Sequence, residues 1–218
     1  VHWPRAVALC PETGNIWVIE EDGDALSIFD TSGVKITSLT QFSGLTCLRP
    51  SGPEAGFWLA DSTTDAVFLL DCQGAERMVI TKPLSRPVTV DCYRREGWIW
   101  VGDGDILRLL QSQGSELLSY KDQGSIIDVA AHQNKADCWM VVREGDGSGS
   151  TVVKIDSAGT VLVRISGFMG VRSIAADDFS GGCMVAEADR GRVIRLDRRG
   201  AITGEFTGFQ APWHVIKE

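Results

Sequence analysis

Four carboxylates recur at one place in a repeating pattern. Glu20, Asp61, Asp103 and Glu187 each stand three residues beyond a large side chain, namely Trp17, Trp58, Trp100 and Met184. Several oxygens converging on one face are what a hard divalent cation needs, calcium taking its ligands at about 2.3–2.6 Å. The competing role is local, because an acid beside a tight hairpin accepts backbone N–H bonds from its own turn. The fourth copy carries Val142 at this place, so the set of acids is incomplete and the turn role is the first expectation. A Ca2+ or other divalent site on Glu20, Asp61, Asp103 and Glu187 is the second, and no other cofactor is expected.

A second set suits recognition. Arg5, Arg86 and Arg172 occupy equivalent places in three copies, and Trp213-His214 falls near the same point after the fifth. Guanidinium groups bind carboxylates through paired hydrogen bonds, while exposed Trp and Arg dominate the energetics of interfaces. Arg5, Arg86, Arg172, Trp3, Trp213 and His214 are therefore the candidate ligand or partner residues. Pairing of these arginines with the acids of neighbouring copies is the alternative. Arg190, Arg192, Arg195, Arg198 and Arg199 form a separate basic cluster around Asp197, read as a solvated hairpin face or, alternatively, a phosphate or partner patch.

Catalytic constellations are poorly represented. The histidines are His2, His132 and His214, without clustering by repeat, and neither a Gly-x-Ser-x-Gly elbow nor a phosphate-cradling glycine loop occurs. The six cysteines lack any Cys-x-x-Cys pair, and Cys138 and Cys183 fill the place held by Ile16, Phe57 and Ile99 in other copies. They read as buried thiols behaving like small hydrophobes, with disulfides as the alternative in a secreted chain. Glu144 to Ser150 is a Gly/Ser-rich loop without the closing Glu of a calcium loop, hence a flexible connection or a partner-contacting lid.

With 218 residues, 44% hydrophobic and 23% charged, the chain can bury a sizeable core. A net charge of -8 argues against a nucleic-acid partner, since phosphate binding relies on Lys and Arg. Apolar runs are strand-sized, far below the roughly 20 residues of a membrane helix, and no basic segment followed by an apolar one opens the chain. The expectation is a soluble protein without membrane association, cytoplasmic or secreted after removal of a leader.

What must position these residues is a repeat of about 42. Gly33, Gly74, Gly114, Gly159 and Gly200 follow one another at intervals of 41, 40, 45 and 41, and four of them close the pattern Asp-x-x-Gly. Each copy reads as four short β-rich runs separated by turn residues, the signal for antiparallel hairpins. Four such strands repeated radially make an all-β fold, a β-propeller of four-stranded antiparallel blades. Residues 1–218 form a single domain with five complete repeats at about 5–44, 45–85, 86–125, 126–170 and 171–211. Residues 212–218 begin a sixth repeat or supply a closing strand.

Runs such as Ala6-Val7-Ala8-Leu9, Gly14-Asn15-Ile16-Trp17-Val18 and Ile28-Phe29-Asp30-Thr31-Ser32-Gly33 resemble NHL repeats and related propeller repeats, over essentially the whole chain. The resemblance implies the fold and a group that includes scaffolds, peptide or RNA binders, lyases and lactonases. Streptogramin-lyase-like members depend on His and Glu near the central mouth, a set that does not map here. Gluconolactonase-like members hold a metal with Glu, Asn and Asp, whereas Asn15 and Asn134, the two asparagines of this chain, lie in turns. The expected function is a non-enzymatic scaffold binding a protein, peptide or carbohydrate partner on one face. A metal-dependent lyase or lactonase-like enzyme and a structural segment of a larger protein are the alternatives.

Overall fold

The computed structural model describes residues 4–20, 23–52, 56–147 and 149–215. These contain twenty strands in five antiparallel four-stranded sheets, each a blade whose strands pair in chain order. Blade 1 is β1 (Ala6–Leu9), β2 (Ile16–Ile19), β3 (Leu26–Phe29) and β4 (Lys35–Leu39), and blade 2 is β5 (Leu45–Pro50), β6 (Gly56–Asp61), β7 (Ala66–Asp71) and β8 (Glu76–Ile80). Blade 3 comprises β9 (Pro87–Tyr93), β10 (Trp98–Asp103), β11 (Ile106–Leu110) and β12 (Glu116–Lys121). Blade 4 comprises β13 (Ser125–Ala131), β14 (Cys138–Arg143), β15 (Ser150–Ile155) and β16 (Val161–Phe168), and blade 5 β17 (Val171–Ala176), β18 (Cys183–Glu187), β19 (Arg192–Leu196) and β20 (Ile202–Thr207).

The Asp-x-x-Gly period is the hairpin between the third and fourth strands. Asp71 shows the device: its Oδ1 accepts the N–H groups of Gln73 at 3.0 Å and Ala75 at 2.9 Å, and its carbonyl accepts that of Gly74 at 2.9 Å. Gly74 takes φ +88°, a left-handed conformation that a Cβ would strain. Asp30, Asp156 and Asp197 each accept the corresponding pair of N–H groups in their blades. Hydrogen bonding holds the carboxyls of Asp30 and Asp197 below their usual pKa, and the Ser180 hydroxyl and N–H bring Asp177, in the β17–β18 hairpin, down to about 2.

A stability prediction follows from the sign of these shifts. Groups whose folded pKa lies below the unfolded value of about 3.9 contribute fully above it and lose that contribution as pH falls through the folded value. Urea midpoints measured from about pH 5 down to about pH 2 should fall more steeply once the pH drops below about 4. A midpoint independent of pH over that lower window would contradict the assignment.

The large-residue register builds the interfaces between blades. Trp17 packs with Phe57 of blade 2 at 4.5 Å between ring centroids, and Trp58, Trp100 and Trp139 likewise lie in clusters with residues of the following blade. All four indoles are buried. Met184 holds the same place in blade 5 and is only half-buried; among the described residues the inner strands β1, β5, β9, β13 and β17 pack in that succession, and β17 and β1 are not among the closely packed pairs. At this seam Val215 N–H donates to Ser173 Oγ, which in turn donates to the Val215 carbonyl, both at 3.3 Å. Residues 212–215 thus lie against the front of blade 5, where a following inner strand would pack, without forming a strand.

The cysteines depart from the expectation of thiols throughout. Cys10, just past β1, and Cys72, just past β7, form a disulfide with Cα atoms 6.2 Å apart, tying blade 1 to blade 2. Cys47, Cys92, Cys138 and Cys183 are free and buried, and burial pushes the Cys47 and Cys183 thiols up in pKa. Spacing alone concealed the bridge because its partners meet across an interface after 62 residues.

Candidate functional site

The recurrent acids end their second strands, and each is engaged by its own blade. Asp61 accepts N–H groups from Ser43, Thr63 and Thr64, all at 3.0 Å. Asp103 accepts those of Ser85 at 3.0 Å and Arg86 at 2.5 Å together with Arg108 Nε at 2.8 Å. Glu187 accepts the Met169 N–H at 2.7 Å and pairs with Arg190 and Arg192. Glu20 accepts from the Ser27 hydroxyl and Lys35, and the Ser27 bond is the main cause of its lowered pKa. Asp61, Asp103 and Glu187 therefore clasp the segment entering the first strand of their own blade. In blade 4, where Val142 replaces the acid, Gly124 packs directly on the Arg143 carbonyl. Among the described residues no three His, Cys, Asp or Glu side chains converge as a metal would require.

The entry arginines do not pair with these acids. Arg5 Nη1 donates to the Leu45 carbonyl of blade 2 at 3.2 Å, and Arg86 is exposed. Arg172 lies 4.7 Å from the ring centroid of Trp213, a cation–π contact. His214 follows and stands with Pro4, Arg5, Val7 and Phe29 in the wall of a groove beside blade 1. Arg5, Arg172, Trp213 and His214 thus gather around the seam; Arg86 belongs to blade 3, and Trp3 lies outside the described residues. In the basic cluster, Arg190 and Arg192 pair with Glu187, Arg192 also with Glu205, and Arg195 with Asp177.

At the axis lies a charge network that the sequence reading missed. A cavity of about 230 Å³ is walled by the inner strands of all five blades, mostly by Val, Leu, Ile and Ala, with Arg49, Asp91 and His214 among its lining. Arg49 Nη2 donates to both oxygens of Asp128, at 3.2 and 3.4 Å. Asp128 also accepts from Thr89 Oγ1 at 2.9 Å, its neighbour Val129 N–H at 3.0 Å and Ile174 N–H at 3.0 Å. A single buried carboxylate therefore joins blades 2, 3, 4 and 5, and a register shift between Ile126 and Asp128 accompanies its placement. Asp91 accepts the Ala131 N–H at 2.8 Å, linking blades 3 and 4. Desolvation holds the His214 imidazole below its usual pKa, with Arg49 adding to the effect and Asp128 opposing it. The available signal was a charge inside a strand otherwise flanked by apolar residues, as in Leu48-Arg49-Pro50 and Ile127-Asp128-Val129.

Blades of this form around a common axis recur in known structures. Virginiamycin B lyase from Staphylococcus aureus superposes with a TM-score of 0.76 at 15% identity, covering 97% of this chain and 73% of that one. The shared feature is the β-propeller fold. A streptogramin B lyase structure matches with a TM-score of 0.71 at 16% identity, over 94% of this chain and 68% of its own. Hydrazine synthase of Kuenenia stuttgartiensis also matches, with a TM-score of 0.67 at 11% identity, over 90% and 68% of the two chains. Likeness at such identities establishes architecture, and proteins with different names share it. No protein-family model and no curated protein sequence matches the chain. No helix among the described residues is long and apolar enough to cross a membrane.

Proposed function

We propose that the protein is a non-enzymatic propeller that binds a polypeptide in the groove along the rear face of blade 1, a face exposed among the described residues. One observation carries this reading. Leu48, Val90, Val129 and Ile174 face the preceding blade and are at most 2% exposed, whereas Val7, at the same place in blade 1, is 63% exposed and its neighbour Leu9 60%. An interior-type surface left open to water is the mark of an interaction site. Val7 and His214 line both this groove and the axial cavity, so a bound segment can reach from the seam to the axis. Arg5 in the groove wall can pair with a carboxylate, and the Arg172–Trp213 stack, next in sequence to His214, offers an aromatic and cationic contact. The apolar lining favours a protein or peptide over a carbohydrate. The Cys10–Cys72 disulfide suits an oxidising compartment.

Val7→Ser/Leu9→Ser tests the reading, because these side chains contribute little to folding where they are exposed. Stability should change by less than about 1 kcal/mol, whereas Leu48→Ala should cost about 2–5 kcal/mol. Peptides selected against the wild-type chain from a random displayed library should lose binding to the double variant. Selected peptides that bind both forms equally would overturn the proposal.

A lyase reading has one observation in its favour, the imidazole of His214 in the axial cavity beside the Arg49–Asp128 pair, with its pKa lowered by desolvation. One streptogramin-lyase structure was solved as an inactive variant with quinupristin, which makes that compound the first to try. Its consumption by the wild-type chain but not by His214→Ala, followed by mass spectrometry, would favour this reading; an unchanged compound would dismiss it. A metal-assisted version would draw on Glu20, Asp61, Asp103 and Glu187, and metal analysis of protein purified without chelator tests it.

A further inference from the structure

On the face where the first strands end, the turns after β13, β17 and β19 border an open cleft of about 500 Å³ between blades 4 and 5. We propose that this cleft is a binding site for a phosphate or sulfate monoester carried on a ring, separate from the groove at the seam. Its floor holds two buried titratable side chains, His132 at 4% exposure and Lys154 at 5%. His132 Nδ1 accepts the Asn134 N–H at 3.2 Å, which places the proton of the neutral ring on Nε2. Desolvation lowers the pKa of the ring, with Lys154 contributing and Asp178 opposing. Nε2 lies against Gly181, where an added Cβ would stand 3.4 Å from it, and this N–H has no acceptor among the described residues.

The rest of the cleft is rich in unspent donors. Lys154 is committed to Asp137 at 3.4 Å, the Gly181 carbonyl at 3.0 Å and the face of Trp139. Asp178 is likewise engaged, accepting the Gln133 N–H at 2.7 Å. Lys135, Arg198 and Arg199 on the rim make no side-chain hydrogen bond or ion pair among the described residues, unlike Arg190, Arg192 and Arg195 of the same basic cluster. Four cations thus face two already engaged carboxylates in a chain whose net charge is -8. Guanidinium forks and an imidazole N–H lining one cleft are donors of the kind that a tetrahedral anion takes. Phe179 stands fully exposed at the rim, with its ring free to stack on the group that carries the ester.

Three probes separate the parts of this inference: phenyl phosphate, phenyl sulfate and inorganic phosphate. With only three histidines in the chain, the His132 ring signals are identified by NMR in a His2→Gln/His214→Gln background. One or both phenyl esters should shift them saturably, at least about tenfold more tightly than inorganic phosphate, and the preferred ester assigns the anion. Arg198→Ala/Arg199→Ala should abolish the shift, and Phe179→Ala should remove the advantage of the phenyl esters. Absence of a saturable shift, or an unchanged dissociation constant in the double arginine variant, would overturn the proposal. Val7→Ser/Leu9→Ser leaves this titration unaltered, so failure here is distinct from failure at the seam.

Discussion

Asp128→Ala should lower the unfolding free energy by about 3–5 kcal/mol, the range for removing one partner of a buried ion pair. The carboxylate is 5% exposed, and it takes donors from β5, β9, β13 and β17. Its loss strands the Arg49 guanidinium at the axis and leaves the Thr89 hydroxyl and the Ile174 N–H without this acceptor. Arg49→Met is the informative comparison. There Asp128 keeps its neutral donors, so the loss should be smaller, about 1–3 kcal/mol. Urea unfolding of the two variants measures both, and the slope against denaturant reports whether the blades still unfold together. A cost below about 1 kcal/mol for Asp128→Ala would mean that the network does not bind the ring together.

Removing the Cys10–Cys72 bridge should cost a comparable amount. Closing a loop across 62 residues restricts the unfolded chain by about 4 kcal/mol in the chain-entropy treatment. Cys10→Ala/Cys72→Ala should still fold, since both positions lie within a cluster containing Trp17, Phe57 and Leu59, but with a lower urea midpoint. Thiol titration gives a separate count. Native protein should react slowly, because its four free cysteines are buried, denatured protein should expose those four, and reduction should bring the total to six. Six reactive thiols in denatured, unreduced protein would eliminate the bridge.

The contrast between Val7 and Leu48 shows how much of the candidate site could be read in advance. Both are apolar, at one place in the repeat, and nothing in their own segments distinguishes them. Leu48 is buried because blade 1 covers it, and Val7 is exposed because no blade described here covers the rear of blade 1. The entry arginines were visible by alignment, yet their fates diverge for the same reason. Arg5 and Arg172 lie beside the seam, whereas Arg86 is an exposed residue at the entry to blade 3. The recurrent acids were equally visible, and their donors were nearly so, because these come from turns and entry segments of the same blade.

By itself the sequence determined the blades. Alternation along a strand, an Asp accepting two N–H groups and a glycine with positive φ are local properties, and repetition every 42 residues or so made them legible five times over. Only the tertiary structure decided which charges meet at the axis, which cysteines join and where the seam opens. Arg49 and Asp128 are 79 residues apart, and Cys10 and Cys72 are 62 apart, neither a multiple of the repeat. Such pairs are set by the curvature of the ring, which brings inner strands together around an axis. No period in the chain records that curvature.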